Sequence, residues 1–322
     1  MLKFILKRLL YSVPILFAVS VITFFILHAA PGDPADMLMN PRTKPEDRAR
    51  IRHNLGLDRP VYIQYGIWIK NVATKGDLGY SLVDGRPVSQ IIMERLPITL
   101  TLMGISYLLS FLAAVPLGVY SAVHRNSFFD HALTLLSFSG LSIPSFWLAL
   151  LAIYVFVVQY NFIPFSTIGL PVMDGMTLWE KAIAFCLALF LPVMVLTVRN
   201  IAGWSRYIRA SMVETLQEDY IRTARSLGIS ENTIIYKYAL KPAILPMITL
   251  IGLSLPDIAA GSFVIEYIFA VPGIGRLGIQ AMEQRNYSVM MGDILIASVM
   301  IILANLLTDI VYGWADPRIR TS

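Results

Sequence analysis

The sequence predicts an all-α integral membrane protein with six transmembrane helices and a small extracytoplasmic segment between helices 1 and 2. Three observations carry that prediction. Of the 322 residues, 56% are hydrophobic and 15% are charged, with a mean hydropathy of +0.65; soluble domains run nearer 45–50% apolar and about 25% charged. Six stretches reach the roughly 20 mostly apolar residues that a helix needs to cross the hydrocarbon: 9–30, 98–123, 132–160, 182–202, 247–270 and 289–314. The net charge of +5 comes from basic residues that flank these stretches. A membrane surface places them there, so the charge does not argue for a nucleic-acid partner.

The first stretch follows Lys3, Lys7 and Arg8 and is closed by Ala29 and Ala30. It is longer than the 7–15 apolar residues of a typical cleaved signal, which favours a retained anchor. Its basic flank puts the N-terminus in the cytoplasm. Six crossings return the C-terminus there, beside Arg318 and Arg320. The loop 203–241 falls inside as well, with Arg206, Arg209, Arg222, Arg225, Lys237 and Lys241, whereas the outer connection 161–180 has no Lys or Arg before Lys181. The basic segment 31–95 must lie outside, which long loops tolerate. Pro14, Pro116, Pro144, Pro192 and Pro256 sit inside spans. Each removes a backbone hydrogen bond and can kink its helix. Cys186 stands alone in an apolar run. It excludes a disulfide framework and reads as a small buried apolar residue.

In the outer segment, Thr43, Pro45 and the acids Glu46 and Asp47 read as a helix start, with a stop near Gly56. A second short helix over 61–72 groups Tyr62, Tyr65, Trp68 and Ile69 on one side. Gly76, Gly79, Gly85 and Pro87 mark turns. The aromatics form either this cap's own core or a docking surface.

The cytoplasmic loop is the most informative stretch. A helical pattern over 206–227 meets Gly228, suited to the left-handed position after a helix, and Ser230 caps the next helix, which runs to about Leu240. The expected form is a helix–turn–helix elbow over Asp219, Tyr220, Ile221, Arg222, Thr223, Ala224, Arg225, Ser226, Leu227 and Gly228. Thr223 and Ala224 keep one surface slim enough for close approach. Tyr220 and Leu227 offer apolar contact, and Arg222 and Arg225 offer ion pairs. An amphipathic loop lying on anionic headgroups is the competing reading.

Ionisable groups at membrane depth cost about 2.5–3.5 kcal/mol on insertion scales. Asp257 lies near the middle of the fifth stretch, Glu266 toward its outer end, Asp309 toward the inner end of the sixth and Arg199 near the inner end of the fourth. They either line a water-filled path or pair structurally, with Arg199 or a neighbouring subunit as partner. Ser142 and Asn305 are weaker polar candidates for the path. No G-x-x-x-x-G-K-[ST] phosphate loop occurs, and His28, His53, His124 and His131 are scattered, with no zinc-site spacing. No catalytic residues and no metal ligands are expected. A membrane hydrolase using Asp257 and Asp309, or a lone channel, remain formal alternatives.

Arg222-Thr223-Ala224 followed by Gly228 resembles the "EAA…G" loop of binding-protein-dependent ABC importer permeases. The residues 6–10 and 30–34, Leu55-Gly56-Leu57-Asp58-Arg59-Pro60, Gly76-Asp77-Leu78-Gly79-Tyr80-Ser81, Glu94-Arg95-Leu96-Pro97, 271–277 and 316–320 resemble the oligopeptide/dipeptide permease B-type subunits in the same order. The resemblance implies a MetI-like type I ABC importer permease fold. It implies that 219–228 is the coupling helix, seated in a cleft of one of two cytoplasmic ABC ATPase subunits, which bind ATP and Mg, so that this chain needs no cofactor. A second homologous permease subunit, an extracytoplasmic substrate-binding protein and a peptide substrate are the further implied partners. Nickel, its chelates and glutathione are alternative cargoes, and the bacterial plasma membrane is the implied location. The chain divides accordingly into anchor and cap (1–95), permease core (96–316, coupling loop 203–245) and cytoplasmic tail (317–322).

Overall fold

The computed structural model describes residues 2–30, 46, 50, 52–53, 56–170 and 175–315. The expected helix over 43–55 lies almost wholly outside the described residues, as does the terminal motif 316–320.

Helix α1 (Leu2–Ala29) keeps Pro14 inside it. Helix α2 (Val61–Lys75) starts after Pro60 and ends at Gly76, whose left-handed φ of 64° accepts the chain reversal. Helix α3 (Val88–Val123) follows, with Pro97 and Pro116 internal. Helix α4 (Phe128–Ser142) is capped by Ser127, which accepts from Asp130 N. Helix α5 (Ser145–Ile153) continues into a π-turn, Tyr154–Gln159. Helix α6 (Leu178–Thr215) opens with a capping box between Thr177 and Glu180. Then come α7 (Asp219–Ser226) and α8 (231–243), the latter largely π-helical over Ile234–Ala239. The chain closes with α9 (Leu245–Ala260), α10 (Phe263–Ile268), α11 (Ile274–Glu283) and α12 (Tyr287–Ala315).

Five helical runs among the described residues are long and apolar enough to span a membrane: Lys7–Ala29, Val88–Val123, Leu178–Thr215, Glu231–Ile258 and Tyr287–Asp309. The expected third span is not one helix. Phe128–Ser142 and Ser145–Gln159 meet at a bend of 101°. Pro144 lacks an N–H and holds Ile143 extended (ψ 123°), so the helix breaks rather than kinks. The expected fifth span is interrupted too. It stops at Ala260, and Gly261 (φ 74°) redirects the chain into the short α10.

Helix α3 packs along α6, α9 along α12, and α1 along α12. Small residues permit these approaches. A Cβ on Gly118 would strike Ile208 and Ser205 O of α6, and one on Gly252 would strike Thr308 of α12. Thr308 Oγ1 donates instead to Gly252 O at 2.7 Å. The aromatic face of α2 rests on α1: Tyr65 stands edge-on to Phe24 at 5.3 Å, and its hydroxyl is 2.9 Å from Ser20 Oγ. Tyr62, expected on the same side, is 68% exposed. Cys186 departs from expectation; it is exposed on α6. An apolar span keeps its side chains in lipid rather than in a protein core, so burial is not required of it.

Candidate functional site: a rigid elbow and the polar groups of the spans

The elbow forms at one end of the bundle. The sequence pattern over 206–227 suggests one helix, but α6 itself runs down to Thr215 and stops. Leu216 N, Gln217 N and Glu218 N donate to Met212 O, Glu214 O and Thr215 O, which tightens the exit into a turn. Helix α7 then restarts at Asp219, an acid at the positive end of a new helix. It ends in a Schellman motif: Ile229 N donates to Ala224 O at 3.2 Å and Gly228 N to Arg225 O at 3.0 Å. Gly228 has φ +75°, and nothing lies within 4 Å of the Cβ it lacks. Its identity is set by backbone conformation, not by space.

One face of α7 is locked down. Ile221 is fully buried and Ala224 is 5% exposed, packed with Ile208, Met212 and Ile234. Ile229 and Leu216 close the edges of that cluster. Ala224 is therefore an inward anchor and does not belong to the slim outer surface the sequence suggested; the i, i+3 spacing from Ile221 puts both on one side. The outward face carries Tyr220 (44% exposed), Leu227 (74% exposed), Arg222, Thr223 and Arg225. The arginines already have partners on the elbow: Arg222 reaches Asp219 at 3.2 Å, and Arg225 holds Glu231 at 2.9 Å, tying α7 to α8. Partial burial pushes the Tyr220 phenol up.

The polar candidates within the spans do not form one cluster. Asp309 pairs with Arg8 of α1 at 3.0 Å. It shares a groove of about 410 Å³ with Lys7, Arg8 and Asn305, which does not include Asp257. Ser142 lies exposed at the α4–α5 break, its hydroxyl donating to Phe138 O. Glu266 is fully buried; Thr99 Oγ1 and Arg276 N donate to its two oxygens at 2.8 and 3.1 Å. It faces the interior of the chain, not an open path. Asp257 is exposed on α9, and Arg199 is exposed on α6. Among the described residues, no three His, Cys, Asp or Glu side chains gather into a metal-binding group.

The sequence matches two family descriptions. Residues 114–321 match "Binding-protein-dependent transport system inner membrane component", and residues 1–103 match the N-terminal part of the same membrane component. The chain belongs to this family. It is 40% identical over 322 residues to the oligopeptide transport system permease protein AppB of Bacillus subtilis, covering 99% of this chain and 100% of that one. It is 38% identical to a putative peptide transport system permease protein of Brucella abortus, with 98% of each covered. It is 34% identical to the dipeptide transport system permease protein DppB of Alkalihalophilus pseudofirmus, with 99% and 100% covered. The chain is thus a multi-pass transport subunit rather than an enzyme.

Three features of this permease escaped the sequence reading. Asp130 is 1% exposed. Arg209 Nε and Nη2 donate to its two oxygens at 2.5 and 2.7 Å, and Ser121 Oγ donates to one of them at 2.5 Å. This clamp joins α3, α4 and α6 at the elbow end. The only local hint was Asp130 at the third position after the cap Ser127. The second feature is the node around Glu266. A Cβ on Gly273 would run into both Thr99 and Glu266; Thr99 also accepts from Ile274 N at 2.8 Å. Gly273 thus serves close packing around a buried carboxylate, whereas Gly275 is crowded by the Phe263 backbone and Gly278 by Asp293. No spacing in the sequence links residues 99 and 266. The third is Asp293, 9% exposed, with Oδ1 unpartnered. It lies within the sixth apolar stretch and meets the same test that singled out Asp257.

Proposed function

We propose that this permease is one of two homologous membrane subunits of an ATP-driven importer of peptides. On this reading α7 is the lever that one of two cytoplasmic ATPase subunits grips. The N- and C-termini and the elbow lie in the cytoplasm, and α2 with the turns that follow it faces the extracytoplasmic binding protein. ATP and Mg are held by the ATPases. Closure of those subunits draws the elbows together and turns the path outward; hydrolysis resets it inward.

The observation that supports this most directly is the two-sidedness of α7. Its inner face is fixed into the bundle by Ile221 and Ala224, while Tyr220 and Leu227 stand in the open. A lever needs both properties: stiffness toward the body and an apolar handle toward a partner. An interfacial lipid helix would not need its opposite face bolted into a protein core. Peptide as cargo rests on the oligopeptide and dipeptide permeases to which the chain is similar over its full length.

The test is reconstitution with the ATPases and the binding protein, measuring peptide-stimulated ATP hydrolysis. Leu227→Asp is expected to abolish stimulation while leaving the permease folded. Normal stimulation in that variant would defeat the docking assignment.

A further inference from the structure

Helices α1 and α12 run antiparallel. At one end His28 of α1 meets Tyr287 of α12 ring to ring at 5.4 Å, and at the other Arg8 meets Asp309 at 3.0 Å. Beside the second pair a groove of about 410 Å³ opens between the two helices. Each turn inward advances about four residues on α1 and steps back about four on α12, so the lining comes in layers. Lys7, Arg8 and Asp309 form the mouth, Ser12 and Asn305 the next layer, and Ile15 and Ile302 the innermost one. The groove therefore grades from charged through polar to apolar over two turns.

The open surface of the mouth is cationic. Asp309 is the more covered member of its ion pair, with a side chain 25% exposed against 52% for Arg8, so the cation fronts the groove rather than the acid. Lys7 is exposed; its ammonium sits 5.8 Å from the Tyr11 ring centroid and meets no carboxylate among the described residues. In the layer beneath, Ser12 commits its proton to Leu9 O at 2.7 Å, whereas the Asn305 amide is exposed and has no partner among the described residues. Helix α1 is also the least enclosed of the five spanning runs: 17% of its apolar window is buried, against 27% or more in the others. Leu10, Val13 and Phe17 on it are more than half exposed. Lipid chains thus reach the rim of the groove.

We infer that this groove holds one anionic phospholipid by its phosphodiester head. The Lys7 ammonium donates to the phosphate oxygens, with Arg8 adding positive charge beside it. The Asn305 amide donates to the ester region below, and the acyl chains descend along Ile15 and Ile302. Basic residues at the end of a span stand at headgroup depth, which is where such a head lies. A soluble anion would make no use of the apolar layers, and a zwitterionic lipid would bring its own cation against Lys7. The bound lipid bridges α1 to α12 beside the single ion pair that joins them at this end. The site stands independently of the importer reading.

The test uses the assembled transporter in phosphatidylcholine vesicles that carry a photoactivatable phosphatidylglycerol or, in a matched sample, a photoactivatable phosphatidylcholine. Labelled positions are mapped by mass spectrometry. Phosphatidylglycerol should label residues 7–15 and 302–309 in clear preference to phosphatidylcholine. Lys7→Gln should cut that preference about fivefold, the factor that one basic residue contributes at an anionic surface, and Lys7→Arg should keep it. Soluble glycerol phosphate in excess should not compete, because it lacks the chains. Equal labelling by the two lipids, or a preference that survives Lys7→Gln, would overturn the site. Displacement by glycerol phosphate would overturn it as well, leaving a site for a soluble anion. So would the absence of lipid label from the groove, and a cross-link from Leu306→Cys to a second permease subunit would then identify a protein occupant.

Discussion

Gly228 shows how one residue can matter without touching anything. Its φ of +75° is required by the Schellman motif, and the space around its missing Cβ is empty. A β-branched replacement therefore costs conformational strain alone, about 1–2 kcal/mol, and Asn, which tolerates this region, costs less. Gly228→Val is expected to uncouple ATP hydrolysis from peptide arrival more than Gly228→Asn does, measured as the ratio of stimulated to basal ATPase rate. Equal behaviour of the two variants would mean the backbone conformation is unimportant. Gly273 is the opposite case, a glycine fixed by its neighbours. Gly273→Ala forces a methyl into Thr99 and Glu266, and overpacking of this kind costs about 1–3 kcal/mol. Thermal unfolding of the purified assembly would show it as a lowered midpoint. Arg209 is a third. Removing it strands the Asp130 carboxylate, which is nearly inaccessible to water; the cost is about 3 kcal/mol, the low end for a broken buried pair, because Arg209 itself keeps some solvent contact. A double-mutant cycle with Arg209→Met and Asp130→Asn should recover much of that loss, and strict additivity would contradict the clamp.

At the scale of elements, α7 has two faces with two different expected phenotypes. Ile221→Asp should destabilise the permease because it puts a charge among Ile208, Met212 and Ile234. Tyr220→Asp should leave thermal stability unchanged and weaken ATPase association, read by co-purification. Much of this was legible in the chain. Gly228 marked the elbow because a left-handed stop depends on local geometry alone; Ser230 takes the N-cap position, but its hydroxyl meets Thr233 Oγ1 at 2.9 Å and caps no backbone N–H. The apolar stretches marked the spans because length and hydropathy need no tertiary information. What stayed hidden was nonlocal. The end of α6 at Thr215 depends on a turn whose residues 216–218 carry no Gly or Pro. The inward face of Ala224 is decided by what α6 and α8 pack beneath it. The break at Pro144 and the stop at Gly261 were visible as residues, but a kinked helix and a broken one look alike until neighbours fix the angle. The pairing of Arg8 with Asp309 and of Thr99 with Glu266 joins residues far apart in the chain, 167 positions in the second case.

For the whole molecule, a helical bundle carries at one end an elbow, α7, with one buried face and one exposed face. The Asp130–Arg209 clamp stands where it can pass motion from the elbow into α3 and α4, since α6 connects directly to α7 through three residues. Force applied to α7 thus reaches α3 and α4 through α6. Everything turns on whether a separate ATPase holds that lever. The most direct measurement is site-directed cross-linking in the assembled transporter, with Cys186→Ser removing the native exposed thiol. A cysteine introduced by Leu227→Cys should cross-link to an ATPase subunit, with efficiency that changes on nucleotide binding, while one introduced by Ala224→Cys, facing the core, should not. Failure of Leu227→Cys to reach any ATPase, with labelling instead by a lipid-soluble reagent, would contradict the lever and leave α7 a membrane-surface helix.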